Sequence, residues 1–305
     1  MQSMTARAHH DTRRKQLWRE RNSAQPEAHA RQEAVALAAG VSLAQLRTPA
    51  VLVYDVSRFP LQQIVLDCLG LSTAGGEPQG EPQGEPHAQL EGLRATPGGA
   101  FAGDPRHQRK YRGGDRGPSS HWVQRWLSEA AEFRKPHAAF TEAYLRLLRE
   151  CILPHIGDAS GMLFQKRPTF RCHVHGGGEA TGCMHKDVDN GHPATEVNFW
   201  LPLTTVFGSN SLFAESAPGK GDFAPFCLGY GEIQRFWGAE CMHHTLPNES
   251  GATRVSVDFR VVPRCIFVAP ADGAGTGATP GKQAHDPYRL GEFYGVMDGA
   301  GVVVG

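Results

Sequence analysis

The segment HKDVDNGH places a histidine and an aspartate two residues apart, at His185 and Asp187. On a β-strand, residues two apart project from the same face, so one rigid element would present two metal ligands. Further along the chain, CMHHTLPN offers His243 or His244 as a third ligand. Two imidazoles and one carboxylate on one side of a metal leave other coordination positions open, which is typical of mononuclear non-haem iron sites. The spacing therefore predicts an Fe(II) centre that could bind O2.

A histidine and an aspartate at this spacing are weak evidence alone, because the chain has 15 histidines and could contain the pair by chance. His173 and His175 form a competing pair, although no carboxylate lies near them in register. The stronger support is RVSVDFR, in which Arg254 and Ser256 share one face of a predicted strand. A guanidinium beside a hydroxyl is suited to binding a carboxylate through charge-assisted hydrogen bonds.

Short strands separated by Gly, Pro, Asn and Asp follow one another from Met162 onwards. Such a pattern is typical of a sandwich or barrel of the jelly-roll type. Upstream, segments rich in Ala, Glu and Leu predict helices, among them HWVQRWLSEAAEF and HAAFTEAYLRLLRECILPHIG. We therefore expect a mainly β protein with flanking α-helices and a double-stranded β-helix core, cupin-like in architecture, at about residues 160–268.

The chain divides into three regions by composition. Residues 1–48 form a basic, partly helical N-terminal arm, and residues 49–268 form a single catalytic domain. Within that domain, residues 72–119 are rich in Gly, Pro and charge and repeat EPQG, so we expect a disordered insertion. Residues 269–305 form a Gly-rich tail in which DPYRLGEFYGVMDG is a candidate returning strand.

Overall charge and hydropathy limit the partners. The 31 basic and 31 acidic residues balance, so no overall field favours nucleic acid or an anionic membrane, and a small-molecule substrate is expected. No segment reaches the ~20 apolar residues that cross a bilayer. Seven cysteines without a CxxC pair indicate reduced thiols, and we therefore expect a cytoplasmic protein. The alternative is that the basic N-terminal segment is an organelle transit peptide. The oligomeric state stays open.

The run from Gln165 to Arg260 resembles iron(II)/2-oxoglutarate dioxygenases of the phytanoyl-CoA-hydroxylase-like superfamily, and within it the StrG-like branch linked to streptomycin biosynthesis. The resemblance lies in KRPTFR, HKDVDNGHPATEVNFWLPLT, GSNSLFAESAPGKGD and FWGAECMHHTLPNESGATRVSVDFRVVP.

The resemblance implies a double-stranded β-helix that holds Fe(II) through His185, Asp187 and a later histidine. It also implies 2-oxoglutarate and O2 as co-substrates and ascorbate as an activator, with Arg254 and Ser256 holding the distal carboxylate of 2-oxoglutarate. The spacing to the downstream Asn-x-x-Gly favours His243 as the distal ligand, and His244 stands where the family pattern has a glycine.

Further residues are candidates for the remaining contacts. Asn198 shares a strand face with Trp200 and either contacts the co-substrate or is a structural barrel residue; Trp200 is a candidate for substrate binding. Arg171 and Arg260 either bind an anionic substrate or form structural ion pairs.

The expected reaction is hydroxylation, or another oxidation, of a small polar metabolite such as a sugar-like or natural-product intermediate. One alternative is the same chemistry on a lipid, acyl or protein side-chain substrate. The others are that the protein is a zinc hydrolase or a non-catalytic metal-binding jelly roll.

Overall fold

The computed structural model describes residues 25–69, 90–93, 134–176, 182–267 and 290–304. The helices are α1 (Gln25–Ala38), α2 (Leu43–Arg47), α3 (Leu61–Cys68), α4 (Arg134–Leu147) and α5 (Leu153–Ile156), with a π-helical turn at Leu148–Ile152. The strands are β1 (Ala50–Val53), β2 (Met162–Gln165), β3 (Thr169–His173), β4 (Val197–Pro202), β5 (Phe213–Ala214), β6 (Ala224–Pro225), β7 (Glu232–Phe236), β8 (His243–His244), β9 (Arg254–Pro263), β10 (Tyr294–Met297) and β11 (Val303–Val304).

Two antiparallel sheets form the body of the described part of the protein. The large sheet has the order β1-β7-β4-β9-β2-β10-β11, and β3 also pairs with β9. The small sheet has the order β6-β5-β8 and is continued by a bridge between His185 and His243. From β3 to β9 the chain passes back and forth between the sheets, as in a jelly roll. The predicted mainly β fold with a double-stranded β-helix core is therefore confirmed.

Strand β9 is the centre of the large sheet, and all ten of its residues are buried. The side chains on one face, Val255, Val257, Phe259 and Val261, belong to the hydrophobic core. The Phe259 ring lies 5.4 Å from that of Phe199 and 5.3 Å from that of Tyr144 on α4, between ring centroids. Branched and aromatic side chains favour a strand that packs against neighbours in this way. The other face of β9 is polar and points between the two sheets.

Helices cover the apolar face of the large sheet. In α4, Phe140, Tyr144 and Leu147 recur at helical spacing and are buried. The helical segment ends at Gly157, whose φ of 74° is the left-handed conformation that a glycine adopts at low cost. The helix expected at HWVQRWLSEAAEF lies outside the described residues. No helix in the described ranges is both long and apolar enough to cross a membrane.

The regions expected to flank the catalytic domain contribute to its packing. In the N-terminal arm, α1 and α2 pack on the body through buried Ala36, Leu43 and Leu46, whereas residues 1–24 lie outside the described part. In the C-terminal region, β10 pairs with β2, so the candidate returning strand is present and widens the large sheet.

The expectation of disorder over residues 72–119 is wrong for residues 90–93. Leu90 is fully buried and Leu93 nearly so. The backbone carbonyl of Glu91 accepts a hydrogen bond from the Thr253 amide at 3.0 Å. Burial of two leucines and pairing of the backbone offset the entropy of ordering this short segment. The rest of the predicted insertion lies outside the described residues.

Candidate metal centre

The backbone between the two sheets brings His185 and His243 side by side. Their amides and carbonyls form a reciprocal pair, with N–O distances of 3.1 and 2.9 Å. We expected a strand to carry both His185 and Asp187, but Asp187 instead begins a 3₁₀ turn, Asp187–Asn190. The intervening Lys186 is extended, with φ −116° and ψ 150°, so side chains two apart still point the same way. The Asp187 amide donates to the carbonyl of Gly238 at 3.0 Å, which fixes the start of the turn.

Hydrogen bonds at the far side of each imidazole determine which nitrogen faces the centre. Nδ1 of His185 lies 2.7 Å from the carbonyl oxygen of Cys183, and Nδ1 of His243 lies 3.0 Å from that of Cys241. Because a carbonyl oxygen only accepts, each Nδ1 carries the proton and each Nε2 presents a lone pair. Both Nε2 atoms lie 3.7 Å from Oδ1 of Asp187. Two nitrogen donors and one oxygen donor therefore converge.

This donor set fits a single divalent metal ion. The ligand atoms of His185, Asp187 and His243 all lie within 4.8 Å of one another. Metal bonds to imidazole nitrogen and carboxylate oxygen are about 2.0–2.2 Å long, so one ion can reach all three atoms. Among the described residues, this is the group of metal-binding side chains that meets that criterion. The competing pair His173 and His175 does not form such a group there.

The second carboxylate oxygen of Asp187 is held by two neighbours. Oδ2 accepts a hydrogen bond from Nδ2 of Asn198 at 2.7 Å and one from Nε of Arg260 at 3.0 Å. Burial alone would raise the pKa of Asp187, but the Arg260 guanidinium holds that pKa well below its usual range. Asp187 is therefore a charged ligand whose Oδ1 remains directed at the two histidines. The sequence did not predict these contacts of Asn198 and Arg260.

The structure distinguishes the two adjacent histidines. Side chains alternate along β8, so His244 points away from Asp187 when His243 points toward it. The His244 ring packs on Phe213 and Phe223, with centroid distances of 5.5 and 5.1 Å. His243 is therefore the histidine that completes the centre.

A recess of about 490 Å³, including its open mouth, lies beside the cluster. Its apolar walls include Trp200, Leu212 and Phe236. The charged side chains of its lining are Arg171, Arg254, Asp258 and Arg260. All of the last three come from the polar face of β9. Asp258 was not predicted as a site residue. Its alternation with Arg254 and Arg260 in RVSVDFR is the sequence pattern that could have indicated it.

Arg254 and Ser256 lie on this face as predicted. Arg254 is only 1% exposed, and its guanidinium carbon is 5.5 Å from the centroid of the Trp200 ring. Burial and the neighbouring Arg171 lower the pKa of Arg254 to about 9. The hydroxyl of Ser256 is buried and has no hydrogen-bond partner among the described residues. A buried cation beside an unmatched hydroxyl is suited to binding a carboxylate group.

Comparison with known proteins gives one curated relative. The chain is 35% identical over 140 residues to the streptomycin biosynthesis protein StrG of Streptomyces griseus. The aligned region covers 46% of this chain and 63% of StrG, so it spans less than two thirds of that relative. The resemblance to StrG-like proteins that the sequence motifs indicated is confirmed by this similarity. No protein-family model matches the chain.

Solved structures with related folds are distant. The non-haem monooxygenase ThoJ in complex with nickel shares 14% identity, with a TM-score of 0.31 over 44% of this chain and 54% of ThoJ. A prolyl hydroxylase from Trichoplax adhaerens, solved with a peptide of a hypoxia-inducible factor, shares 13% identity and a TM-score of 0.34. That match covers 76% of this chain and 92% of the hydroxylase. Similarities this weak do not carry an activity over to this chain.

Proposed function

We propose that this protein is an Fe(II)- and 2-oxoglutarate-dependent oxygenase that hydroxylates a C–H bond of a small polar metabolite. The observation that carries the proposal is that two imidazole nitrogens and one carboxylate oxygen converge beside a recess that also contains a buried arginine. Three ligands on one side of an ion leave positions for a co-substrate and O2. The proposed Fe(II) ligands are His185, Asp187 and His243.

Bound iron, together with 2-oxoglutarate and O2, supplies the oxidising chemistry and yields succinate and CO2 as co-products. The chain's own task is to position the reactants. Arg254 and Ser256 hold the distal carboxylate of 2-oxoglutarate by charge-assisted hydrogen bonds. Asn198 and Arg260 keep Asp187 ionised and oriented. The apolar walls formed by Trp200 and Phe236 reduce water around the reacting C–H bond.

The proposed substrate class, a sugar-like or natural-product intermediate, is supported by the similarity to StrG, whose name links that protein to streptomycin biosynthesis. A lipid, acyl or protein side-chain substrate is the alternative.

A zinc hydrolase could use the same three ligands, and one feature of the recess disfavours it. Such an enzyme needs a group that accepts a proton from the metal-bound water. Asp258 is the carboxylate of the recess lining, and it already accepts hydrogen bonds from Arg171 at 2.9 Å and Arg260 at 3.4 Å. Both carboxylate oxygens of Asp258 are thus already engaged in hydrogen bonds to arginines and are poorly placed to take up that proton. A non-catalytic jelly roll would not need a buried arginine such as Arg254 at a position suited to binding a carboxylate.

The test is succinate formation by the purified full chain with Fe(II), ascorbate and 2-oxoglutarate, with and without a metabolite library. We expect slow uncoupled succinate formation that a substrate accelerates, and a product heavier by one oxygen atom. Arg254→Gln should raise the KM for 2-oxoglutarate roughly 10- to 100-fold, because it removes a charge-assisted hydrogen bond. The exposed Arg264→Gln is the matched control and should leave that KM unchanged. Wild-type protein that neither binds 2-oxoglutarate nor forms succinate would refute the proposal.

A further inference from the structure

Arg171 presents part of its guanidinium group to the recess. It lies on β3 directly opposite Ser256 of β9. Its Nε donates to Oδ1 of Asp258 at 2.9 Å, which fixes the plane of the group. Its terminal nitrogens have no acceptor among the described residues, and the side chain is 40% exposed. Arg171 is therefore a positioned cation with donors available to a ligand.

The ion pair with Asp258 uses only the Nε edge of the Arg171 guanidinium. Arg260 already contacts the other oxygen of Asp258 at 3.4 Å. Arg260 is nearer to Asp187, at 3.0 Å, so Arg171 is the closer cationic partner of Asp258, at 2.9 Å. The three arginines of the lining face Asp258 and, directly behind the lining, Asp187 and Glu196, so each of the other carboxylates has a cationic partner besides Arg171.

The other two arginines of the lining have different tasks. Arg260 is occupied by Asp187, Asp258 and Gln165. Arg254 is almost completely buried and, under the proposed function, holds the distal carboxylate of 2-oxoglutarate. The opposite end of 2-oxoglutarate would be held by the metal, so both ends of the co-substrate are accounted for. Arg171 is left at the more open side of the recess.

We propose that the molecule oxidised by this protein carries an anionic group, a carboxylate or a phosphate, that binds the terminal nitrogens of Arg171. This inference rests on the proposed function, because it assigns Arg254 to the co-substrate. A planar guanidinium whose Nε is already fixed by a carboxylate offers a two-pronged contact to a second anion. Neutral analogues of the substrate would leave these donors unmatched and bind more weakly.

The experiment uses the full chain loaded with zinc and saturated with 2-oxoglutarate, so that no turnover occurs. A thermal-shift screen compares small polar compounds in matched sets, for example glucose with glucuronate and glucose 6-phosphate, and calorimetry gives the Kd of each compound that binds. We expect the binding members to be anionic. Arg171→Gln should weaken their binding about 10- to 100-fold and leave the Kd of 2-oxoglutarate within about twofold. The exposed Arg167→Gln, on the loop before β3, is the matched control and should change neither.

Two further variants separate ligand binding from structure. In Arg171→Gln, Asp258 loses one partner, and this loss alone could distort the recess. The double variant Arg171→Gln with Asp258→Asn removes both charges of the ion pair. If Arg171 binds the ligand, the affinity of the double variant for the anionic ligand stays low, and Arg171→Lys recovers part of that affinity. Recovery of affinity in the double variant would overturn the proposal, because the role of Arg171 would then be structural.

Other outcomes are equally decisive. The proposal is wrong if no anionic member binds, if neutral members bind as tightly, or if Arg171→Gln weakens 2-oxoglutarate instead. If the protein binds an anion through Arg171 but forms no succinate, the proposed anion site is supported and the proposed oxygenase activity is refuted. The two proposals therefore fail in distinguishable ways.

Discussion

The two faces of β9 have the same burial and different tasks. On one face, Val257 and Phe259 pack against the other sheet strands and α4. On the other face, Arg254 and Asp258 line the recess, and Ser256 lies between them along the strand. The side chains of both faces are largely buried, but only the apolar face gains stability from burial itself. The polar face must be stabilised by paired charges or by a ligand.

One strand can therefore contribute to both the core and the site, because its side chains alternate between the two faces. Changes on the apolar face should lower stability and leave ligand affinities intact in the folded protein. Changes on the polar face should alter affinities with a smaller effect on folding. The following predictions test this separation, beginning with the largest expected effect.

Strand β8 offers the sharpest test, because its two adjacent histidines point in opposite directions. We expect His243→Ala to abolish Fe(II) binding and reduce succinate formation by at least about 1,000-fold, as it removes one of three ligands. His244→Ala is the matched control and should still bind Fe(II) with an affinity close to that of the wild type. Metal titration under anaerobic conditions checks both. The reverse result would assign the distal ligand to His244.

On the apolar face, Phe259→Ala should lower the free energy of unfolding by about 3–5 kcal/mol, because it removes a buried ring and leaves a cavity. Urea denaturation measures the change. At low temperature the folded variant should retain the metal affinity of the wild type. A folded variant that lost metal affinity in proportion to stability would show that the two faces are coupled.

On the polar face, Arg260→Gln should weaken metal binding about 10- to 100-fold, the usual effect of removing a partner that orients a metal ligand. Arg260 lowers the pKa of Asp187, so without it that pKa rises and a larger fraction of Asp187 is protonated as the pH falls. The loss of affinity should therefore grow toward acidic pH. Competition with a metal-sensitive dye at several pH values measures it. A deficit that stays constant with pH would contradict this electrostatic role.

Ser256→Ala should have the smallest effect. Its hydroxyl has no partner among the described residues, so removing it should leave the free energy of unfolding unchanged or slightly higher. The KM for 2-oxoglutarate should rise roughly 2- to 10-fold through loss of one hydrogen bond. The neighbouring Val257→Ala, on the apolar face, should instead cost about 2 kcal/mol of stability without changing that KM. Equal loss of stability in both variants would contradict the division between the faces.

Local patterns in the sequence were sufficient for several features. The alternation in RVSVDFR predicted a strand on which Arg254 and Ser256 share one face, and β9 is that strand. The runs of short strands predicted the jelly roll. The spacing of His185 and Asp187 predicted two ligands on one side of the chain, although they lie on a bridge and a turn rather than a continuous strand.

The candidate metal ligands and the candidate carboxylate-binding residues, and the face on which each lies, follow from the sequence, because side-chain direction alternates over neighbouring residues. The partners of those ligands do not. Asn198 and Arg260 reach Asp187 only because β4 and β9 pair in a register that brings residues 198 and 260 opposite each other. The burial of Leu90 and the exposure of the terminal nitrogens of Arg171 likewise depend on contacts between distant segments. Such contacts are set by the packing of the whole sheet, and no local periodicity encodes them.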